Sequence, residues 1–193
     1  MPLPTLTVVS GPPGAGKTTL ARNLAATLGC PAIIRDEIKQ GMVLATPGYH
    51  PTDDDPLNLP TLTAFFGVLT VLTHAGVAAV AEAAYQDRLW RPDLEPLTKL
   101  ADIRVVRCTV SPSTAEDRIA QRAEQDTRRA AHADHQLLQA IKAGSHAIDS
   151  FAPISLDLPT LIVDTSDGYR PIFEEIVRFI TQSVADEASA SGI

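Results

Sequence analysis

The fold of this chain is set by one stretch, Gly11-Pro12-Pro13-Gly14-Ala15-Gly16-Lys17-Thr18, which Thr19 follows directly. It fills every fixed position of the phosphate-binding loop (P-loop) pattern G-x-x-x-x-G-K-[ST]. The apolar run at 6–9 before it predicts a buried strand, and residues 17–28 after it predict an amphipathic helix. A helix N-terminus reached through a glycine turn aims backbone N–H groups at an anion, and the helix dipole adds to the attraction. Residues 11–19 are therefore predicted to bind the phosphates of a nucleoside triphosphate.

Two side chains at the end of this loop predict how the phosphates and a metal ion are held. Lys17 is placed to reach the β- and γ-phosphates, and the Thr18 hydroxyl is placed to bind Mg²⁺. ATP or GTP together with Mg²⁺ is therefore the predicted cofactor set. The sequence leaves the choice of base open.

Composition restricts the class of protein and the kind of partner. With 193 residues the chain suits one domain, and its net charge of −7 argues against nucleic acid as the main partner. The N-terminus has no basic start of a signal peptide, and His74 and Gly76 interrupt the longest apolar stretch, 64–80. We expect a cytoplasmic protein that does not enter a membrane; the sequence leaves its oligomeric state open.

Short apolar runs alternate with helical patterns along the chain. This alternation predicts an α/β fold: a P-loop NTPase three-layer sandwich with a five-stranded parallel sheet flanked by helices. We expect a single domain over residues 1–185, with a short helical lid at about 112–145 and a flexible tail at 186–193. The predicted strands lie at 6–9, 32–34, 77–81, 103–110 and 161–163. The predicted helices lie at 17–28, 36–44, 61–75, 93–101, 112–125, 133–144 and 169–183.

Polar residues that follow the predicted strands are candidates for catalysis and acceptor binding, because ligands bind beyond the carboxyl ends of parallel strands. Arg35 and Asp36 follow the second strand, and Asp36 either accepts the proton of a hydroxyl acceptor or caps the next helix. Glu82 follows the third strand and either faces the acceptor and holds Mg²⁺ through water, or is a solvated or capping residue. Tyr85 either lines the acceptor pocket or covers the edge of the core.

Two further groups are candidates for nucleotide contacts. Arg118 and Arg122 are four residues apart on a predicted helix, where they either close over the transferred phosphoryl group or form a solvated face. Asp164 and Thr165 follow the last strand, where they either contact the base or cap a helix.

A proline-rich stretch, Thr46–Pro60, is longer than a plain connection, and such loops often form a substrate wall. Tyr49 within it is predicted to contact the acceptor. The acidic trio Asp53–Asp55 is predicted to be a solvated turn, with a site for a cationic acceptor as the alternative.

Several of these segments together resemble the small P-loop kinases of the AAA-type kinase-like group. The resemblance spans Val8 to about Ile180. Relatives in that group include chloramphenicol phosphotransferase, the zeta toxins, gluconate kinase and the kinase half of polynucleotide kinase. The segments that carry it are Gly11–Thr18, Arg35-Asp36-Glu37-Ile38, Gly41-Met42, Gly76–Tyr85 and the pair Arg118 and Arg122.

The resemblance implies a five-stranded parallel sheet, Mg²⁺ with ATP or GTP, and phosphorylation of a hydroxyl group. Our first hypothesis is that this hydroxyl belongs to a small molecule. It implies that Asp36 is the base and Lys17 the phosphate clamp. Arg118 and Arg122 resemble lid arginines, one near the base and one near the phosphates.

A narrower similarity concerns actinobacterial phosphotransferases that inactivate nucleoside antibiotics such as capuramycin. The shared segments are Thr46–Pro60, Ala131–His135 and Val163–Pro171. This similarity implies a nucleoside antibiotic as acceptor and a role in resistance. The alternatives are a kinase for polynucleotide or RNA 5′-hydroxyl groups and a nucleotide-operated switch ATPase.

Overall fold

The computed structural model describes residues 2–50, 55–125 and 152–182. Five parallel strands form one sheet in the order β2-β3-β1-β4-β5, which confirms the predicted fold class. The strands are β1 (Thr5–Ser10), β2 (Ala32–Ile34), β3 (Ala79–Glu82), β4 (Asp102–Thr109) and β5 (Thr160–Asp164). The helices are α1 (Lys17–Leu28), α2 (Arg35–Leu44), α3 (Asn58–His74), α4 (Asp87–Leu94), α5 (Pro112–Gln125) and α6 (Phe173–Thr181), with a 3-10 helix at Glu95–Lys99.

Helices cover both faces of the sheet, which explains why its strands read as nearly continuous apolar runs. On one face, Val9 of β1 belongs to a buried cluster with Leu24 of α1 and Ile176 of α6. On the other face, Val8 belongs to a cluster with Phe65 of α3 and further residues of α3 and α4. Successive residues of β1 therefore point into two different cores, and the protein has three layers.

The register of the strands determines which residues meet at the carboxyl edge of the sheet. Glu82, the last residue of β3, pairs with Val9 of β1 on one side and with Ile34 of β2 on the other. The P-loop begins directly after β1 ends at Ser10, and α2 begins at Arg35, directly after β2. The P-loop, Glu82 and the start of α2 therefore lie side by side.

Two predicted helices differ from the observed ones, and a proline lies inside each observed helix. The helix predicted at 93–101 is wrong: α4 ends at Leu94, and a 3-10 helix follows it. Trp90 and Leu94, one turn apart, anchor α4 in the core even though Pro92 lies inside it. The helix predicted at 61–75 begins earlier, at Asn58. Pro60 is tolerated there because it occupies the first turn of α3, where a backbone N–H needs no partner in the helix.

Parts of the predicted lid and tail lie outside the described residues, namely 126–145 and 186–193. The helix predicted at 133–144 is among them. No helix in the described ranges has both the length and the apolar character that crossing a membrane requires.

The P-loop packs against its neighbours too closely for side chains at two of its glycines. A Cβ atom on Gly11, whose φ is +144°, would overlap the carbonyl oxygen of Cys108 in β4. A Cβ atom on Gly14, whose φ is +78°, would lie 2.8 Å from backbone atoms of Ala115 in α5. Both glycines are required by backbone conformation and by space.

We expect Gly11→Ala to lower the melting temperature, because neither the loop nor β4 can yield backbone space. Gly67→Ala is the matched control, since Gly67 lies within α3 and no atom comes within 4 Å of its Cβ position. Alanine there should stabilise the protein by about 0.5–1 kcal/mol. Thermal unfolding of both variants checks this, and an unchanged Gly11→Ala melting temperature would contradict the close packing.

Candidate functional site

The P-loop presents backbone N–H groups at the start of α1. Gly16 precedes the helix with a φ of +66°, and as a glycine it has no side chain that could cap these N–H groups. Lys17 Nζ donates to the carbonyl oxygen of Pro12 at 2.9 Å, and the N–H of Ala15 donates to the same oxygen at 3.3 Å. The loop therefore curls into a concave turn with a cation beside it, an arrangement that suits a phosphate group.

A pocket of about 460 Å³ lies beside this loop. Most of the residues predicted for nucleotide binding line it. They are Gly14, Gly16, Lys17, Thr18, Thr19 and Thr165, together with Arg118 and Arg122 of α5.

The other residues predicted for the nucleotide are not on the wall of this pocket. Pro12 contributes the carbonyl oxygen that holds Lys17, Ala15 is fully buried, and Gly11 faces β4, as described above. Pro13, between Pro12 and Gly14, is half-buried.

Asp164 is predicted to contact the base, but the structure uses it to hold a turn. Its Oδ1 accepts a hydrogen bond from the backbone N–H of Ser166 at 2.8 Å, and its backbone pairs with Arg170. The bond from the Ser166 N–H holds the pKa of this exposed carboxyl below its usual range. Asp164 therefore shapes the loop that carries Thr165.

Arg118 and Thr165 brace the P-loop from the side of α5 and β5. Arg118 Nη2 donates to the Thr165 carbonyl oxygen at 2.6 Å, and its Nη1 donates to the Gly14 carbonyl oxygen at 3.3 Å. The Thr165 hydroxyl lies 3.1 Å from the carbonyl oxygens of both Ala15 and Thr109. Arg118, predicted as a lid arginine, is thus anchored to the P-loop at Gly14. The Thr165 hydroxyl holds the same loop at Ala15.

Several residues that line the pocket were not predicted from the sequence. Arg22 lies one turn after Thr18 on α1, so helical spacing was a signal that could have found it. It forms an ion pair with Glu37 and thereby links α1 to α2. Gln121, Gly168 and Tyr169 also line the pocket. Each lies close in sequence to a predicted residue: Gln121 directly precedes Arg122, and the other two follow Thr165 within four residues.

Thr18 and Glu82 meet at the centre of the site. The Thr18 hydroxyl donates to Glu82 Oε2 at 2.9 Å, and the Glu82 side chain is almost fully buried. Burial raises the pKa of this carboxyl, and nearby Lys17 opposes the rise. A hydroxyl and a carboxylate beside a phosphate-binding loop fit Mg²⁺, which prefers oxygen ligands. The donors present therefore fit the predicted metal.

Asp36 lies on the same edge of the sheet. Helix α2 begins at Arg35 and its N-cap is Ile34, so Asp36 is inside the first turn and is not the helix cap. Its carboxylate accepts a hydrogen bond from Arg35 Nη1 at 3.1 Å, and about 42% of its side chain is exposed. The negative charge of Asp36 also raises the Glu82 pKa, although burial and Lys17 have larger effects on it. An accessible carboxylate therefore stands beside the Thr18–Glu82 pair.

Tyr85 is a core residue in this structure. It is fully buried in a cluster of aromatic rings, 4.9 Å from Trp90 and 6.0 Å from Phe65, measured between ring centroids. Its backbone has a φ of +50°, and its hydroxyl has no hydrogen-bond partner among the described residues. Because no surface of Tyr85 is accessible, it does not line an acceptor pocket here; it covers the edge of the core.

Tyr49 belongs to a polar cluster in which Asp55 and Lys39 are buried and Tyr49 itself is half-buried. The Tyr49 hydroxyl and Lys39 Nζ both lie 2.5 Å from Asp55 Oδ2. Burial raises the Asp55 pKa, but hydrogen bonds from Lys39, Tyr49 and the Leu57 N–H outweigh it, so the pKa is lowered. Burial and then Asp55 raise the Tyr49 pKa to about 12. The predicted solvated turn is therefore wrong for Asp55; Asp53 and Asp54 lie outside the described residues.

Sequence comparison assigns the chain to a family. The profile of the AAA_33 family, described as an AAA domain, matches residues 6–146. The chain belongs to this family. No curated protein sequence matches this AAA domain.

Several solved structures share the fold of this AAA domain. A Chloroflexus aurantiacus protein with a provisional kinase description has a TM-score of 0.76 and 23% identity, over 92% of this chain and 97% of its own. The Mycobacterium tuberculosis APS kinase in complex with AMPPNP and APS has a TM-score of 0.62 and 16% identity, over 94% and 100%. A Sinorhizobium meliloti gluconokinase has a TM-score of 0.57 and 19% identity, over 99% of both chains. Identities this low show the fold alone.

We expect Lys39→Met to destabilise the protein by on the order of 3 kcal/mol, because it leaves the buried Asp55 carboxylate without its cation. The double variant Lys39→Met/Asp55→Asn should recover most of the loss, since it removes both charges. The asparagine oxygen can still accept from the Leu57 N–H, and its NH2 group can donate to the Tyr49 hydroxyl oxygen. Denaturant unfolding at neutral pH measures both. A double variant as unstable as the single one would show that the charge is not the cause.

The deficit of Lys39→Met should also shrink in acid. The folded-state pKa of Asp55 lies below its ordinary value, so the stabilisation is present above about pH 4 and is lost as the pH falls through the folded value. Unfolding curves recorded between neutral pH and pH 3 check this dependence.

Proposed function

We propose that this AAA domain transfers the γ-phosphoryl group of ATP to a hydroxyl group of a small molecule. The observation that carries the proposal is the meeting of three parts at one edge of the sheet. These are the P-loop with Lys17, the Thr18–Glu82 pair, and the accessible carboxylate of Asp36. Phosphoryl transfer needs a phosphate cradle, charge neutralisation and a group that handles the acceptor proton, and each part supplies one of these.

The reaction follows from these positions. The acceptor oxygen attacks the γ-phosphorus, the bond to the β,γ-bridging oxygen breaks, and Asp36 takes the hydroxyl proton; the products are ADP and a phosphate monoester. Lys17 and the loop N–H groups stabilise charge on the phosphates, and Arg118 and Arg122 add positive charge from the pocket wall. Thr18 directly, and Glu82 through water, would hold Mg²⁺, which supplies charge neutralisation at the β- and γ-phosphate oxygens when bound.

A small hydroxylated acceptor is supported by relatives of the same fold. Three of them are named for such substrates: gluconokinase, shikimate kinase and a sugar kinase of Janibacter. The APS kinase was solved with AMPPNP and the Chaetomium Kti12 protein with ADP-AlF3, which favours adenine over guanine as the donor base. Within this class we propose a nucleoside antibiotic as acceptor and a role in resistance, on the sequence similarity of 46–60 and 163–171.

A second candidate is a kinase for RNA or polynucleotide 5′-hydroxyl groups. A likeness to a chain of the Pnkp1/Rnl/Hen1 RNA repair complex favours it, with a TM-score of 0.55 and 19% identity over 80% of this chain and 49% of the other. The net charge of −7 weighs against it, because a polyanion normally binds to a basic surface.

Asp36→Asn should bind ATP as the wild type does but transfer phosphate roughly 10²- to 10⁴-fold more slowly, because the amide cannot accept the acceptor proton. The assay is mass spectrometry of sugars, nucleosides, nucleoside antibiotics and 5′-hydroxyl oligonucleotides incubated with ATP or GTP and Mg²⁺. A product heavier by one phosphoryl group that forms only with intact Asp36 identifies the acceptor class.

Lys17→Ala is the control for nucleotide binding in this screen, and it should lose both binding and transfer. A phosphorylated oligonucleotide would favour the second candidate. Nucleotide hydrolysis stimulated by a protein partner, without any phosphorylated product, would favour a switch ATPase. A wild-type protein that neither binds nor turns over nucleotide would refute the proposed function.

Thr18→Ser and Thr18→Val test the metal ligand as a matched pair. Serine keeps the hydroxyl, whereas valine keeps the shape and lacks the oxygen, so valine should weaken ATP binding in Mg²⁺ by roughly tenfold. In EDTA the two variants should bind ATP alike. Calorimetric titration measures both conditions, and equal affinities in Mg²⁺ would exclude Thr18 as a ligand.

A further inference from the structure

We propose that Lys39, Asp55 and Asn58 are positioning residues for Asp36, acting through Arg35. The inference rests on the proposed function, because it concerns the carboxylate that accepts the hydroxyl proton. These residues come from α2, from the connection before α3 and from the first turn of α3. None of the three lines the nucleotide pocket.

The link between Asn58 and Asp36 is one guanidinium group. Arg35 Nη1 donates to Asp36 Oδ1 at 3.1 Å, and Arg35 Nη2 donates to Asn58 Oδ1 at 3.0 Å. A planar guanidinium that donates through two different nitrogens to two oxygens has a fixed orientation. Asn58 therefore determines how Arg35 meets the carboxylate.

Asn58 is in turn held by a buried ion pair. Arg35 and Lys39 are one turn apart on α2, and Lys39 Nζ donates to the same Asn58 Oδ1 at 3.1 Å. Lys39 is also paired with Asp55 at 2.5 Å, and both side chains are almost fully buried. Asp55 is fixed at its other oxygen, where Oδ1 accepts a hydrogen bond from the Leu57 N–H at 2.9 Å. The network therefore ends in a rigid turn directly before α3.

A role in positioning explains this arrangement better than a role in stability alone. A buried ion pair often stabilises a protein no more than an apolar pair of the same size, because desolvation of the charges is costly. Here the oxygens and cations converge on Arg35, which donates a hydrogen bond to Asp36. Asp36 lies at the partly exposed start of α2. A misplacement of about 1 Å in a catalytic group can cost a factor of about 10² in rate.

The test compares Asn58→Leu with Asn58→Asp. The two side chains are similar in size, but only aspartate keeps an oxygen where Arg35 and Lys39 donate. Asn58→Leu should lower kcat roughly tenfold to hundredfold with an unchanged Kd for ATP, and Asn58→Asp should restore most of kcat. Thr63→Val, an exposed change on the same helix, should leave kcat unchanged.

A second measurement does not depend on turnover. The guanidinium N–H signals of Arg35 in NMR spectra should be resolved in the wild type and in Asn58→Asp, and averaged in Asn58→Leu. If the wild type transfers phosphate to no acceptor, the proposed function fails, but these signals still decide the geometry. Wild-type kcat or wild-type Arg35 signals in a folded Asn58→Leu variant would overturn the positioning role.

Discussion

The close packing of the P-loop against β4 and α5 is the constraint on which the rest of the site depends. Gly11 and Gly14 leave no room for side chains, so the loop follows one path between its neighbours. Arg118 and Thr165 hold its carbonyl groups from the same side. Because the path is fixed, the start of α1 and the Thr18 hydroxyl have fixed positions too, and every other group of the site is arranged around them.

The register of the sheet brings the carboxylates of the site next to the P-loop. Glu82 lies between β1 and β2 in the ladder, so it meets Thr18 on one side and stands close to Asp36 on the other. A shift of β3 by one residue against its two neighbours would turn the Glu82 side chain to the opposite face. Backbone pairing therefore determines where Glu82 and Asp36 lie. In the proposed network, Arg35 and Asn58 determine the orientation of the Asp36 carboxylate.

The sequence predicted what depends on local patterns and missed what depends on distant partners. The P-loop and the strands are encoded by contiguous residues, so their positions followed from glycines and apolar runs. Asp55 looked like part of a solvated turn because its cation, Lys39, lies on α2, far from it in sequence. Tyr85 looked like an acceptor contact because the rings that bury it come from α3 and α4. Partners supplied by other elements leave no trace in local spacing.

The braced loop also has a thermodynamic consequence. A flexible loop that closes around a phosphate loses conformational entropy, about 1–2 kcal/mol for each residue that becomes fixed. Here that ordering has already occurred during folding, through contacts with Cys108 and Ala115. Nucleotide affinity is therefore supplied in part by the apolar packing of the domain, and mutations that loosen α5 against the loop would weaken binding without touching a phosphate.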